Sequence, residues 1–312
     1  MYTFSEEQAE LVPLDIFRKT CKLSKEILTE GKMYMKKIIA LLVLVLMVTV
    51  ACTPSESEPA TPETGYADGK YFAMADEFDP DSGWKETVQL EVKDGKIVDV
   101  VWNAVSNQLG IDKLTAVSAG KYPMVQAGGA QAEWDEQAKK AQDYLIEVQD
   151  PTSVTLDDEG RSDAIAGVSI HVNGLFDLAK KALDAGVATP GPFEDGTYHQ
   201  EAAEFADSGW KEFVDFVVMN GNIVTAKWNA INEEDPELDK LTAVAEGKYP
   251  MVASGGAQAE WDVQAKAVEE YLLSSQNLDI EYSNDEGNTD AISGVSIHVN
   301  GFYDLIKQAL GL

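Results

Sequence analysis

A chain of 312 residues with 54 acidic against 24 basic side chains carries a formal net charge of −30 at pH 7, which repels polyanions and excludes nucleic acid as an expected partner. Apolar residues make up 45% of it, the share of an ordinary globular protein and too high for intrinsic disorder throughout. Its two cysteines, Cys21 and Cys52, both lie near the N-terminus, so the sequence beyond Cys52 has no disulfide, thiol nucleophile or cysteine metal ligand.

Met35-Lys36-Lys37, the apolar run Ile38–Ala51 and Cys52 form a basic, then apolar, then small-residue-plus-cysteine pattern. That is the pattern of a lipoprotein signal peptide, and the run is too short for a bilayer span. Residues 35–52 are therefore expected to be the signal and Cys52 the lipidated residue, although Thr49 stands where such signals usually carry Leu, Val or Ile. This places the folded part outside the cytoplasm on a membrane lipid anchor. Residues 1–34 are expected to be a leader outside the native protein, with Met33 or Met35 as the start. Residues 53–66, rich in Pro, Ser, Thr and Glu, cannot bury enough apolar surface to order themselves and read as a tether.

Beyond the tether the chain says nearly everything twice. DKLTAV at Asp112 recurs at Asp239, GKYPMV at Gly120 recurs at Gly247, GGAQAEWD at Gly128 recurs at Gly255, and GVSIHVNG at Gly167 recurs at Gly294. A period of 127 residues, from His171 to His298, is the length of a domain and means two tandem folding units. The first spans 67–186 and the second 194–312, joined by a linker at 187–193.

Within the first unit Val88, Leu90 and Val92 alternate with polar residues, Asp94-Gly95 marks a turn, and Ile97 to Trp102 resumes the strand. This is a β-hairpin, and Asn220-Gly221 repeats its turn in the second unit. Trp134, Ala138, Ala141, Leu145 and Val148 then fall at helical spacing, matched over Gln258–Leu273. A short strand is expected at Val154–Leu156 and again at Leu278–Tyr282, and a closing helix at Ile170–Leu183 and Ile297–Leu310. Hairpin, helix, strand and helix predict an α+β fold, an antiparallel sheet covered by helices, present in two copies. The six tryptophans pair across the copies as Trp84 with Trp210, Trp102 with Trp228 and Trp134 with Trp261. Core positions suit them best, with Trp134 and Trp261 as candidate ligand neighbours.

The segment with the most chemistry is Asp163-Ala-Ile-Ala-Gly-Val-Ser169 and its partner Asp290-Ala-Ile-Ser-Gly-Val-Ser296, each followed by Ile-His-Val-Asn-Gly. Gly167 and Gly294 would let a bulky group approach the backbone. Ser169 and Ser296 would stand at the start of the closing helix, where a hydroxyl either caps the helix or presents an anion to its free N–H groups.

These residues resemble the D-x-x-S/T-G-A-T motif of FMN-binding domains, such as those in subunits of sodium-translocating NADH:quinone oxidoreductases and in secreted flavoproteins that carry electrons across Gram-positive envelopes. The resemblance covers each whole repeat and implies an FMN-binding-like fold in both. In that family a flavin transferase links FMN through its phosphate to the last motif residue. Carried over, Asp163 and Asp290 match the motif aspartate, Ser293 its hydroxyl residue, Gly167 and Gly294 its glycine, and Ser169 and Ser296 the attachment residue. The departures are Val168 and Val295 in place of alanine, serine in place of threonine, and Ala166 in place of the hydroxyl residue. The wider wording, GWK, GKYPM, EWD and SGVSIHV, also resembles spirochaete lipoproteins known as major membrane immunogens. His171 and His298, two residues past the serines, offer hydrogen bonds to a phosphate or flavin edge. The paired Lys113 with Lys240 and Lys121 with Lys248 offer cations for that phosphate or are solvated loop residues.

No HExxH, zinc-type Cys/His cluster, P-loop or GxGxxG occurs, and no metal site or catalytic set is expected. The acidic run Asp157-Asp158-Glu159 lies in a turn-like stretch and is a poor general acid/base pair. The resemblance thus implies a membrane-tethered electron carrier with one FMN per repeat, a membrane redox partner and a flavin transferase. The alternative is a non-redox surface lipoprotein that binds another ligand or a partner protein. A reductase with its own substrate would need a further domain, and tether and repeats consume residues 53–312.

Overall fold

The computed structural model describes residues 65–312, so the expected leader, signal, Cys52 and most of the tether lie outside the described residues. In the first repeat β1 (Gly69–Met74), β2 (Trp84–Lys93) and β3 (Lys96–Ser106) form an antiparallel sheet in that order. The β2–β3 turn places Asp94 and Gly95 at φ 51° and 73°, the two left-handed residues a type I′ hairpin requires. Four helices follow: α1 (Lys113–Ser118), α2 (Met124–Gly128), α3 (Trp134–Val148) and α4 (Asn173–Ala185). Alternation along the strands turns Val88, Leu90, Val92, Val100 and Trp102 to one face, where Ala138, Ala141 and Leu145 of α3 and Leu175, Phe176 and Ala179 of α4 bury them. Each large side chain buried this way contributes about 1.5–3 kcal/mol.

The second repeat is built alike from β4 (Gly196–Glu201), β5 (Trp210–Met219), β6 (Asn222–Asn232), α5 (Lys240–Ala245), α6 (Met251–Gly255), α7 (Trp261–Ser275) and α8 (Asn300–Leu310). Asn220 and Gly221 repeat the left-handed turn at φ 48° and 70°. The fold is the expected α+β arrangement, an antiparallel sheet with helices on one face, present twice.

Three expectations need correction. Strands β1 and β4 and the short helices α1, α2, α5 and α6 escaped the sequence pattern, because six-residue pieces rest on tertiary packing rather than on periodicity. No strand forms at Val154–Leu156 or Leu278–Tyr282. There the side chains of Val154 and Leu156 pack on the core, while the edge of β3 is occupied by one glutamine side chain. Gln149 accepts from Ile97 N–H and donates to Ile97 C=O, both at 2.8 Å, and Gln276 does the same for Ile223. The closing helices begin at Asn173 and Asn300, three residues later than expected.

The repeats meet through the outer faces of their sheets. Val105 of the first packs with Val217 and Val224 of the second, flanked by Met74, Phe78 and Met219. The Thr225 hydroxyl donates to the Ser106 carbonyl at 3.1 Å, and that of Thr197 donates to the Asp112 carboxylate. The linker is tied to both repeats, Ala188 N–H donating to Lys70 C=O and Gly191 N–H to Asn220 C=O.

Candidate functional site

Ser169 and Ser296 each follow a glycine at φ 74° and 80° respectively, a backbone that an L side chain rarely adopts. Both serines are exposed. Neither caps the following helix: the N-cap positions fall at Val172 and Val299, and neither side chain caps. Val172 N–H and Asn173 N–H both donate to Gly160 C=O, and Val299 N–H donates to Gly287 C=O. The expectation that the serines cap the closing helices is therefore corrected.

What holds each serine is a buried glutamine of the preceding long helix. Gln137 is 2% exposed and Gln264 1%. The Gln137 amide donates to Ala132 C=O at 3.0 Å and accepts both the N–H and the hydroxyl of Ser169, at 2.8 and 3.1 Å. Gln264 repeats this on Ala259 C=O and Ser296, at 2.8, 2.7 and 3.3 Å. The serine proton is thus committed to an amide oxygen, which is no base, and the hydroxyl lone pairs remain free to face outward. A self-activated nucleophile needs a general base within hydrogen-bond reach. Among the described residues the amide is the only hydrogen-bond partner of either hydroxyl.

Beside Ser169 lies a cavity of about 290 Å³, bounded by the Gly129–Ala132 loop, Gln137 and the Gly167–Ser169 turn. A Cβ added at Gly128, Gly129, Gly255, Gly256 or Gly294 would meet nothing within 4 Å, so both repeats leave open space along these loops. Val168 and Val295 pack against the cores, which accounts for a branched side chain where the motif has alanine. Asp163, His171, Asp290, Ser293 and His298 are exposed near the turns, and no hydrogen bond joins any of them to a serine among the described residues. His298 lies 3.7 Å from Glu286.

One helical turn from Gln137, Trp134 closes a cage that the sequence pattern did not disclose. Lys113 is 7% exposed, and its ammonium lies 4.8 Å from the ring centres of Trp84 and Tyr122 and 5.1 Å from that of Trp134. Lys240 is held alike by Trp210, Tyr249 and Trp261 at 5.3, 5.1 and 4.9 Å. Such ring faces partly replace water around a cation. Burial still drives the Lys113 amine down to about 8, against the pull of Glu86 and Asp79, and it lowers Lys240 against Glu212. The half-buried carboxyls of Glu86 and Glu212 are raised, chiefly by desolvation, with the caged lysine opposing. Their tips rest on Gly174 and Gly301, where a Cβ would force the carboxylate to shift. The solvated-lysine expectation is therefore corrected for Lys113 and Lys240, which with Trp134 and Trp261, 4% and 3% exposed, form a closed cationic core, while Lys121 and Lys248 are exposed. The available sequence signal was a lysine beside an N-cap aspartate in both copies of DKLTAV, and a glutamine in an otherwise apolar helix stripe.

Among the described residues no group of three or more His, Cys, Asp or Glu side chains could hold a metal ion, and no helix is long and apolar enough to cross a membrane. No protein-family model matches the chain, and no curated protein matches it. Two solved structures are similar to parts of it. A solution structure of a Clostridium thermocellum protein is 55% identical, covering 38% of this chain and 90% of that one with a TM-score of 0.32. A crystal structure of a Clostridium perfringens protein is 23% identical, covering 39% of this chain and 88% of that one with a TM-score of 0.30.

Proposed function

We propose that each repeat binds one FMN through its phosphate at Ser169 or Ser296, and that the chain is a lipid-anchored extracytoplasmic electron carrier. The observation that carries this reading is the same in both repeats: an exposed serine on a left-handed glycine turn, its proton held by a buried glutamine amide, facing open glycine-lined space. The sequence resemblance names the group that such a hydroxyl would take. The residues fit it. A planar ring system needs room along the backbone, which the glycines leave, and a phosphoryl acceptor needs a free lone pair, which the amide contact leaves.

Bound FMN would supply the electron-accepting and electron-donating chemistry, while the protein supplies position and electrostatic setting. Gln137 and Gln264 fix the serine rotamers. Attachment would fall to a separate flavin transferase, since among the described residues no base hydrogen-bonds either hydroxyl. Cys52 would anchor the chain so that its flavins meet a membrane redox partner.

The test is the visible spectrum of the mature chain produced together with a flavin transferase. A yellow protein that bleaches on chemical reduction and recovers in air supports the carrier. A colourless protein that also fails to bind added FMN overturns it and favours the non-redox surface lipoprotein.

A further inference from the structure

At the serine pocket the two repeats differ by one charge. Lys140 lies on α3 one turn beyond Gln137, and its ammonium donates to the Gly167 carbonyl at 3.2 Å. A Cβ at Gly167 would approach that ammonium to 2.8 Å, so the cation sits directly on the turn that presents Ser169. The neighbouring Lys139 pairs with Asp143, whereas Lys140 makes no ion pair among the described residues. The corresponding position of the second repeat is Ala267, and nothing lies within 4 Å of a Cβ placed on Gly294.

In a chain of net charge −30 a phosphate approaching either pocket meets a repulsive background field. An unpaired ammonium beside the acceptor hydroxyl offsets that field locally and donates a charge-assisted hydrogen bond to a phosphoryl oxygen. We propose that Lys140 is a phosphate-recognising residue of the first repeat, making that repeat selective for the phosphorylated flavin, FMN, over riboflavin, and that the second repeat lacks this selectivity. This rests on the flavin reading above. Recognition needs only that the side chain exchange the Gly167 carbonyl for the ligand, a rotation open to an exposed lysine.

The experiment measures FMN and riboflavin binding to the chain by flavin fluorescence at low and high salt. It compares the native sequence with Lys140→Gln, Lys140→Arg and Ala267→Lys. Lys140→Gln is expected to weaken FMN at one site about five- to tenfold while leaving riboflavin unchanged, an effect that shrinks as salt screens it. Lys140→Arg should keep the native preference, and Ala267→Lys should confer it on the second site. If both flavins bind and Lys140→Gln leaves their affinity ratio unchanged, or weakens both alike, Lys140 does not recognise phosphate while the flavin reading stands. If neither flavin binds the native chain, this inference falls, and the flavin reading falls with it when the chain produced with a flavin transferase is also colourless.

Discussion

The first and second repeats share a core and part company on the outer faces of their sheets. The sheet bulge next to the hairpin leaves Val98 43% exposed in the first repeat, whereas its counterpart Val224 is 8% exposed against the first repeat. Around Val98 stand Glu91, Lys93 and Asp99, and around Val224 stand Val217, Met219 and Thr225. The contact is therefore between two different parts of equivalent sheets. A second difference lies under β6, where the first repeat has Gln142 and the second has Glu269. That carboxylate accepts the Trp228 N–H at 2.7 Å with Lys227 at 3.9 Å. Duplication has kept the serine site and the caged lysine and relaxed the surface around them.

The largest expected effect tests whether the cores are as alike as their sequences. Trp102→Ala and Trp228→Ala should each cost about 3–5 kcal/mol in denaturant unfolding. Trp228→Ala should lie at the upper end, because Phe302 also packs on its ring at 5.3 Å where the first repeat has Leu175. Equal losses would show that the extra aromatic contributes nothing.

The buried carboxylate sharpens the comparison by pH. Burial lifts Glu269 from 4.5 to about 7, against Lys227 and the Trp228 N–H. Below pH 4.5 it is protonated both folded and unfolded, and between the two values only the folded state keeps its proton. Its contribution to stability therefore falls as pH rises through that window and levels off above about 7. Glu269→Gln should remove about 3 kcal/mol of that slope, read as the difference between the two stability–pH curves. Parallel curves would place its proton affinity near the ordinary value.

Thr225→Asp gives the second repeat the residue found at that point of the first. A carboxylate buried against the Ser106 carbonyl should cost several kcal/mol of the contact between the repeats and uncouple them, splitting one calorimetric transition into two. The smallest effect should be the same in both repeats: Gln149→Ala or Gln276→Ala removes the side chain that occupies a strand edge, at about 1 kcal/mol each by urea titration.

The hairpins, the long helices and the tandem arrangement were legible because alternation, turn residues and 3.6-residue periodicity are local signals. The left-handed Asp94-Gly95 and Asn220-Gly221 turns are the clearest case. The edge strands β1 and β4 were not legible, since six residues of mixed polarity become a strand only by pairing with β2 or β5. The serine was legible as a residue and illegible as a geometry. Its partner Gln137 lies 32 residues away, and nothing local shows that the helix starts three residues after the serine. The lysine cage joins Trp84, Lys113, Tyr122 and Trp134 from four elements or loops, a convergence that no single stretch of sequence encodes.

The account stands most directly on the intact mass of the chain produced with a flavin transferase, beside Ser169→Ala, Ser296→Ala and the double variant. It predicts two FMN increments on the native chain, one on each single variant and none on the double. A native chain of unmodified mass, or single variants that keep both increments, would contradict one flavin per serine.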